Sequence, residues 1–416
     1  MPSLSTKKQS FNRSVFIVLG GNVLSQGLIF ASSPFLTRLY SPEVFGQLAV
    51  FISIVAMINV FTSLKYELAL PIERDQKKFL NLVVLCLGIL GITTIICTAA
   101  VLILGTFFFE KQFAEFLLWL LPLAFLGEGI TAITNYYGIH KSKYKDLAIL
   151  KVNKALFTVG GQAGLHSLQS LGMVAGDVMG RILGGFKLML KMFMEIRKSS
   201  SVISLNEIRE VASKYRKFPL ISSYSSFINS AGLQLAPILL SAMYSQAEVG
   251  LFALAQRVIV SPLSIIGRAV ADVFYGTAAK IDAPGDLKQM FIKTSLKLLL
   301  VGMIPISILY FAGESLFGLI FGHAWKETGT IIQILSLMYL AQFIVSPLSQ
   351  TLNILNRQDL QLVWDILRLI LTVLPFLAGF LSGYDFYELI KLLGICSVAS
   401  YVLLYAMIFR VLKKQI

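Results

Sequence analysis

Eight ionisable residues stand inside long apolar runs of this 416-residue chain: Glu128, Asp177, Arg181, Arg257, Arg268, Asp272, Asp365 and Arg368. A charge at the centre of a hydrocarbon layer costs ~2.5–3.5 kcal/mol on insertion scales, so such a side chain faces protein or a wet cavity. Spacing sorts the eight. Asp177/Arg181 and Arg268/Asp272 are four apart and Asp365/Arg368 three apart, which lets opposite charges meet on one helix face. Arg257 has no acidic residue at these spacings. Glu128 has no basic neighbour on its own segment, and a lone desolvated carboxyl suits a proton or a sodium ion. Asp177 and Asp365 are the other candidates for coupling to an ion. No catalytic set accompanies them. Cys86, Cys97 and Cys396 show neither metal nor disulfide spacing, and His140, His166 and His323 are scattered. No phosphate-cradling Walker A loop is present, and no cofactor or metal is expected beyond a coupling H+ or Na+.

The elements that must position these charges are membrane helices. Hydrophobic residues make up 56% of the chain and charged residues only 14%, where soluble domains carry about 25%. The apolar residues fall in runs of roughly 20, the length that crosses ~30 Å of hydrocarbon. The expected fold class is all-α and polytopic, with about twelve spans: 14–39, 44–64, 79–106, 114–139, 148–170, 172–193, 218–244, 249–279, 291–312, 327–355, 359–381 and 386–411. The fifth and sixth are the least apolar. Lys7, Lys8 and Arg13 ahead of the first run suggest a cleaved signal, but the run continues to Leu39 and so spans.

Charge sets the orientation. Of 36 Lys and Arg, 28 fall on one side of the twelve-span plan, four (Arg38, Lys111, Lys326, Lys391) on the other, and four inside spans. The positive-inside rule makes the rich side cytoplasmic, with both termini there. The net charge of +14 thus reflects topology, and nucleic acid is not an expected partner. Outer loops are short, and none reaches about twenty residues. The longest inner segment holds Ser204-Leu205-Asn206-Glu207, a capping box, followed by Ile208, Val211 and Tyr215 at helical spacing. This predicts a short amphipathic helix on the membrane surface, dividing the chain into lobes at 1–198 and 217–416 with a linker at 199–216.

The halves repeat. Tyr40-Ser41 with Gly46 and Ala49 matches Tyr244-Ser245 with Gly250 and Ala253 at a constant offset of 204. Six spans per half is even, so the halves are parallel repeats about an axis along the membrane normal. Such repeats place a cavity between two lobes and work by alternating access. Pro34 and Pro237 interrupt the opening helix of each half at nearly equivalent positions, a candidate pair of gating bends.

Two stretches carry a family resemblance. One is Thr37-Arg38-Leu39-Tyr40-Ser41-Pro42-Glu43-Val44-Phe45-Gly46 with Ser63-Leu64-Lys65-Tyr66-Glu67-Leu68-Ala69. The other is Phe321-Gly322-His323-Ala324-Trp325 with Gly329, Ser346-Pro347-Leu348-Ser349 and Leu355-Asn356-Arg357-Gln358. They resemble the bacterial Wzx-type polysaccharide flippases of the MATE-like MOP superfamily. The resemblance implies two six-helix bundles that flip a polyprenyl-pyrophosphate-linked oligosaccharide across the inner membrane for O-antigen or capsule assembly. It also implies membrane lipids as partners, and polysaccharide polymerase and chain-length machinery nearby. A pyrophosphate needs fork-shaped, permanently charged counterparts. Arg257, Arg181 and Arg368 lie deep enough to supply them, and Arg38 sits at the outer edge. Asn22, Gln26, Ser225, Asn229 and Gln234, on the first and seventh spans, could meet sugar hydroxyls.

Two readings compete. A MATE-like exporter of drugs or cations would line its lumen with acids and aromatics, whereas the deep charges here include as many Arg as acids. A membrane polymerase or glycosyltransferase needs a catalytic outer loop, which the chain lacks, so an enzyme is not expected.

Overall fold

The computed structural model describes residues 4–109, 115–278, 281 and 284–414, and among these every regular element is helical. Lys111 and Lys280, counted in the charge bias, lie outside the described residues, as do the side chains of Lys7, Lys8, Arg13 and Lys414. Fourteen principal helices follow one another. They are α1 (Leu4–Leu39), α2 (Pro42–Ile58), α3 (Gln76–Phe109), α4 (Leu120–His140), α5 (Tyr144–Gly164), α6 (Ser170–Leu183) and α7 (Phe186–Lys198). After them come α8 (Leu205–Lys214), α9 (Ser223–Met243), α10 (Gln246–Ala278), α11 (Pro284–Phe321), α12 (Lys326–Leu348), α13 (Gln358–Ser382) and α14 (Phe386–Lys414).

Among the described residues nine helices are long and apolar enough to cross a membrane, namely α1 to α3 and α9 to α14. With α4, α5 and the α6–α7 pair the chain is a polytopic membrane protein of about twelve spans. The sixth span differs from the expected unbroken 172–193. It stops at Leu183 and resumes at Phe186, with Gly184 and Gly185 between. A glycine pair offers little resistance to such a break. α7 beyond it is strongly amphipathic.

The described residues up to Tyr40 cluster with Val50–Phe227, and Ser41–Ala49 with Ile228–Ile416. In the first unit α5 and α6 lie side by side, because α6 presents a glycine every fourth residue, Gly172, Gly176 and Gly180, with Gly184 next in step just past its end. A Cβ on Gly180 would stand 1.9 Å from the Thr158 hydroxyl and 2.7 Å from the Lys154 carbonyl. One on Gly176 would stand 2.4 Å from the Gln162 amide nitrogen. Without a hydrophobic drive between helices in lipid, such small-residue faces allow the backbone approach that holds them together.

The Tyr-Ser repeat is structural. Tyr40 donates its hydroxyl to the Gln162 carbonyl at 2.6 Å, inside the first unit. Its repeat equivalent Tyr244 donates to the Tyr384 carbonyl at 2.9 Å, inside the second. The repeated glycines meet each other within the second unit. A Cβ on Gly46 would lie 2.0 Å from the Gln246 carbonyl oxygen, and one on Gly250 would lie 1.8 Å from that of Pro42. Positions 42/246 and 46/250 differ by the same 204, so the crossing is reciprocal, as a two-fold relation demands.

The other family stretches serve turns and contacts. Leu64 and Lys65 adopt positive φ (49° and 62°), as do Gly322 (105°) and Asn356 (54°). Trp325 is buried edge-on to Phe45 with ring centroids 4.7 Å apart.

α8 begins as expected, with the Ser204 hydroxyl accepting from Glu207 N–H at 3.2 Å. The reciprocal half of the capping box is replaced: Ser204 N–H donates to Asn81 Oδ1 at 3.1 Å. Its apolar stripe also does not lie on lipid. Val211 and Tyr215 are buried in the core of the first unit with Phe79 and Leu80, so protein covers the face predicted to sit on the membrane surface. Polar bonds fasten it. Lys78 bonds Glu210, the Tyr66 hydroxyl donates to the Ala212 carbonyl at 3.0 Å, and buried Glu73 accepts from Lys214 Nζ at 2.5 Å and from the Tyr215 hydroxyl at 3.0 Å. Burial alone would raise the Glu73 carboxyl. The bonds from Lys214, Asp75 N–H and Tyr215 outweigh it and hold the group at about 2.

Two outcomes follow. Gly180→Leu is expected to cost on the order of 1–3 kcal/mol or more by overpacking and to lower the thermal midpoint of the purified chain. Gly160→Ala, whose Cβ meets nothing within 4 Å, leaves that midpoint unchanged or raises it. Glu73→Gln should loosen α8 by about 1–3 kcal/mol, read as faster amide exchange over 205–214. Because the folded carboxyl is depressed, its stabilisation is complete above an unfolded pKa of about 4.3. It is lost as pH falls through about 2.

Candidate functional site

The deep charges form two clusters, one in each unit. In the first, the α5–α6 glycine contact sets Lys154 beside Arg181, and α4 brings Glu128 to both. Glu128 Oε2 accepts from Lys154 Nζ at 2.7 Å and from Arg181 Nη1 at 2.8 Å. Arg181 Nε donates to Asp177 Oδ2 at 2.6 Å, and the Thr131 hydroxyl donates to the Arg181 carbonyl at 2.9 Å. Glycine makes room here too, since a Cβ on Gly127 would stand 3.2 Å from that of Arg181. Lys154 lies ~15 Å from the start of α5 and Glu128 ~18 Å from the end of α4, by helical rise, so the cluster sits at mid-membrane depth. Two carboxylates face two cations, and the net formal charge is zero.

The expected Asp177/Arg181 pair therefore exists, but Glu128 is not alone. The absence of a base on its own helix holds, and bases from two other helices supply what that helix lacks. Lys154 escaped the sequence reading because it was counted with the basic interface residues. The glycine ladder of α6 was the signal: a close partner helix must lie against it, and Lys154 and Thr158 stand on that partner one turn apart.

In the second unit, Arg368 Nη2 donates to Asn229 Oδ1 at 2.7 Å and to Asp365 Oδ1 at 3.2 Å. Its guanidinium lies over the Trp364 ring, 4.5 Å from the centroid, a favourable cation–π placement. Trp364 is fixed in turn by its Nε1–H donating to the Ser400 carbonyl at 2.9 Å. Gly232 leaves space for the guanidinium, whose Nε would be 3.3 Å from a Cβ there. Asn229, expected to meet sugar, is engaged by Arg368.

The other candidates are dispersed. Arg257 is half-buried on α10, and Gln234 is half-buried on α9. Arg38 is exposed in the last turn of α1, while Asn22 and Gln26 are half-buried further down that helix. α1 and α9 continue through Pro34 and Pro237. Arg268 and Asp272 are exposed, and neither makes a salt bridge among the described residues.

A family model described as polysaccharide biosynthesis protein matches residues 35–330. The chain belongs to that family. No curated protein is a significant match in sequence. The fold is similar to an inward-facing multidrug resistance MATE family transporter of the MOP superfamily, with TM-score 0.64, 15% identity, and 95% of this chain and 96% of that one covered. It is similar also to a MOP superfamily transporter from Pyrococcus furiosus (TM-score 0.61, 14% identity, 98% and 96% covered). The lipid II flippase MurJ in an inward closed conformation matches as well (TM-score 0.61, 12% identity, 96% and 86% covered). The family member described here thus shares the fold of these transporters.

Removing one partner of a buried ion cluster costs about 3–5 kcal/mol, because the remaining charges stay buried. Arg181→Ala should therefore lower the thermal midpoint sharply. Arg181→Gln combined with Asp177→Asn should cost clearly less, and this difference is the measurement that checks the pairing.

Proposed function

We propose that this family member flips polyprenyl-pyrophosphate-linked oligosaccharide units from the inner to the outer leaflet of the bacterial inner membrane, for O-antigen or capsule assembly. In this reading both termini and the basic helix ends are cytoplasmic. The observation that carries the reading is the clamp in the first unit, where Lys154 and Arg181 share one oxygen, Oε2 of Glu128. A phosphoryl oxygen can take the place of that carboxylate oxygen, since guanidinium and ammonium groups both bind it strongly.

The clamp also suggests how an ion is coupled. Glu128 and phosphate compete for the same two cations. Protonating Glu128 leaves the cluster net positive and open to the anion, and deprotonation expels it. Asp177 and Asp365 hold Arg181 and Arg368 in place meanwhile. Arg257 and Arg368 are the guanidinium groups assigned to the substrate in the second unit, with Arg38 at the outer edge. Asn22, Gln26 and Gln234 are assigned to the sugars, and Pro34 and Pro237 to the bending of α1 and α9. Outward movement of an anion also follows an inside-negative potential, by ~2.3 kcal/mol per charge per 100 mV. Polymerase and chain-length proteins would receive the product.

The alternative is export of a cationic drug. It is disfavoured because Glu128, Asp177 and Asp365 each already face a basic group within 4 Å, which leaves them no spare charge for a cation. The test uses proteoliposomes loaded with a polyprenyl-pyrophosphate-linked N-acetylglucosamine, with a lectin reporting leaflet exposure. The full chain is expected to flip it. Glu128→Gln should retain binding and lose the response to a pH gradient. Vesicles that move ethidium but not the glycolipid would overturn the proposal in favour of drug export.

A further inference from the structure

A cavity of about 270 Å³ opens within the second unit between α10 and α12, close to the size at which small-molecule sites begin. Its polar lining consists of Arg268 and Ser264 from α10, Gln342 and Ser346 from α12, and Ser349 and Gln350 at the turn that follows. Among the described residues no carboxylate lines it. Arg268 stands ~15 Å from the end of α10 by helical rise. Its neighbour Asp272 is not within salt-bridge distance, and among the described residues no other acid pairs with it. Arg268 is also 22 residues, ~33 Å by helical rise, from the start of α10 at Gln246, which puts it at the basic end of the span. In this cavity it has somewhere to point.

Three of the surrounding groups, Gln342, Ser346 and Gln350, keep donors for the cavity. The Gln350 amide oxygen accepts from Asn353 Nδ2 at 2.9 Å, which leaves the Gln350 N–H groups for the cavity. The Ser346 hydroxyl and the Gln342 amide make no hydrogen bond among the described residues. The Ser264 and Ser349 hydroxyls donate to the Ser261 and Ser346 carbonyls at 2.8 Å. A cavity lined by one uncompensated guanidinium and spare N–H and O–H groups, without a carboxylate, selects an anion with many acceptor oxygens.

We infer that the Arg268 cavity is a second phosphate-binding site, which takes the pyrophosphate of the lipid-linked substrate at the basic end of the second unit. The inference rests on the proposed function. It separates this site from the clamp on Glu128, because here no carboxylate has to be displaced. The chemistry is shared with the head groups of anionic phospholipids, so the experiment must tell the two apart.

The full chain in detergent is titrated with geranyl pyrophosphate, and a benzophenone derivative of that probe is photo-crosslinked and mapped. Crosslinks are expected in peptides of α10 and α12 around residues 264–271 and 342–350. Arg268→Ala should weaken binding at least about tenfold, and Arg268→Lys less, since an ammonium keeps the charge but not the fork. Ser346→Ala should weaken it a few-fold, with the thermal midpoint unchanged in all three. Unchanged binding and crosslinking in Arg268→Ala would overturn the inference. So would displacement of the probe by phosphatidylglycerol at equal concentration, which would assign the cavity to phospholipid. In the flipping assay, wild-type inactivity sinks the proposed function. Wild-type activity combined with unaltered binding by Arg268→Ala sinks this inference alone.

Discussion

Charge inside hydrocarbon has to be answered by protein, and the packing of the first unit is organised around that requirement. Glu128, Asp177, Lys154 and Arg181 come from three helices; Asp177 and Arg181 pair on α6, and Glu128 of α4 is answered only from α5 and α6. They meet because α6 carries glycine at every fourth position along one edge. The ladder of Gly172, Gly176, Gly180 and Gly184 lets α5 approach until backbone and Cβ atoms would collide. The same three segments are the ones whose length or composition falls short of an obvious membrane span. Their polarity belongs to the site, and the close helix contact makes it tolerable.

The second unit solves the same problem differently. Arg368 is held by Asp365, by Asn229 from another helix and by the face of Trp364. Arg268 has no such partners among the described residues and lines a cavity instead. Under the proposed function the two kinds of cation have different uses. A clamped one is released when its carboxylate is neutralised, and an open one is ready to receive an anion without rearrangement. The competition between carboxylate and phosphate for a cation is a physical switch that requires no covalent chemistry.

The repeat has a mechanical meaning beyond duplication. Each repeat tyrosine anchors the end of its opening helix to a carbonyl in its own unit, at Gln162 and at Tyr384. The repeat glycines cross reciprocally, each against a carbonyl one turn before the other. The residues that carry the family resemblance thus act through turns, anchors and close approach. They fix where helices begin and cross.

How much was legible divides along the range of the forces involved. The span count, the linker helix with its Ser204 cap, the Tyr-Ser repeat, and the pairing of Asp177 with Arg181 and of Asp365 with Arg368 were readable from the sequence. Each depends on hydropathy, capping or i,i+3 and i,i+4 neighbours, and all of these act along one segment. The break at Gly184–Gly185, the docking of α8 on protein rather than lipid, the two cations on Glu128, and the parting of Arg268 from Asp272 were not readable. These depend on which helix lies beside which, at separations of 26 and 53 residues for the Glu128 contacts. Local spacing tells which charges a helix must have answered, and only the packing of other helices against it supplies the answer.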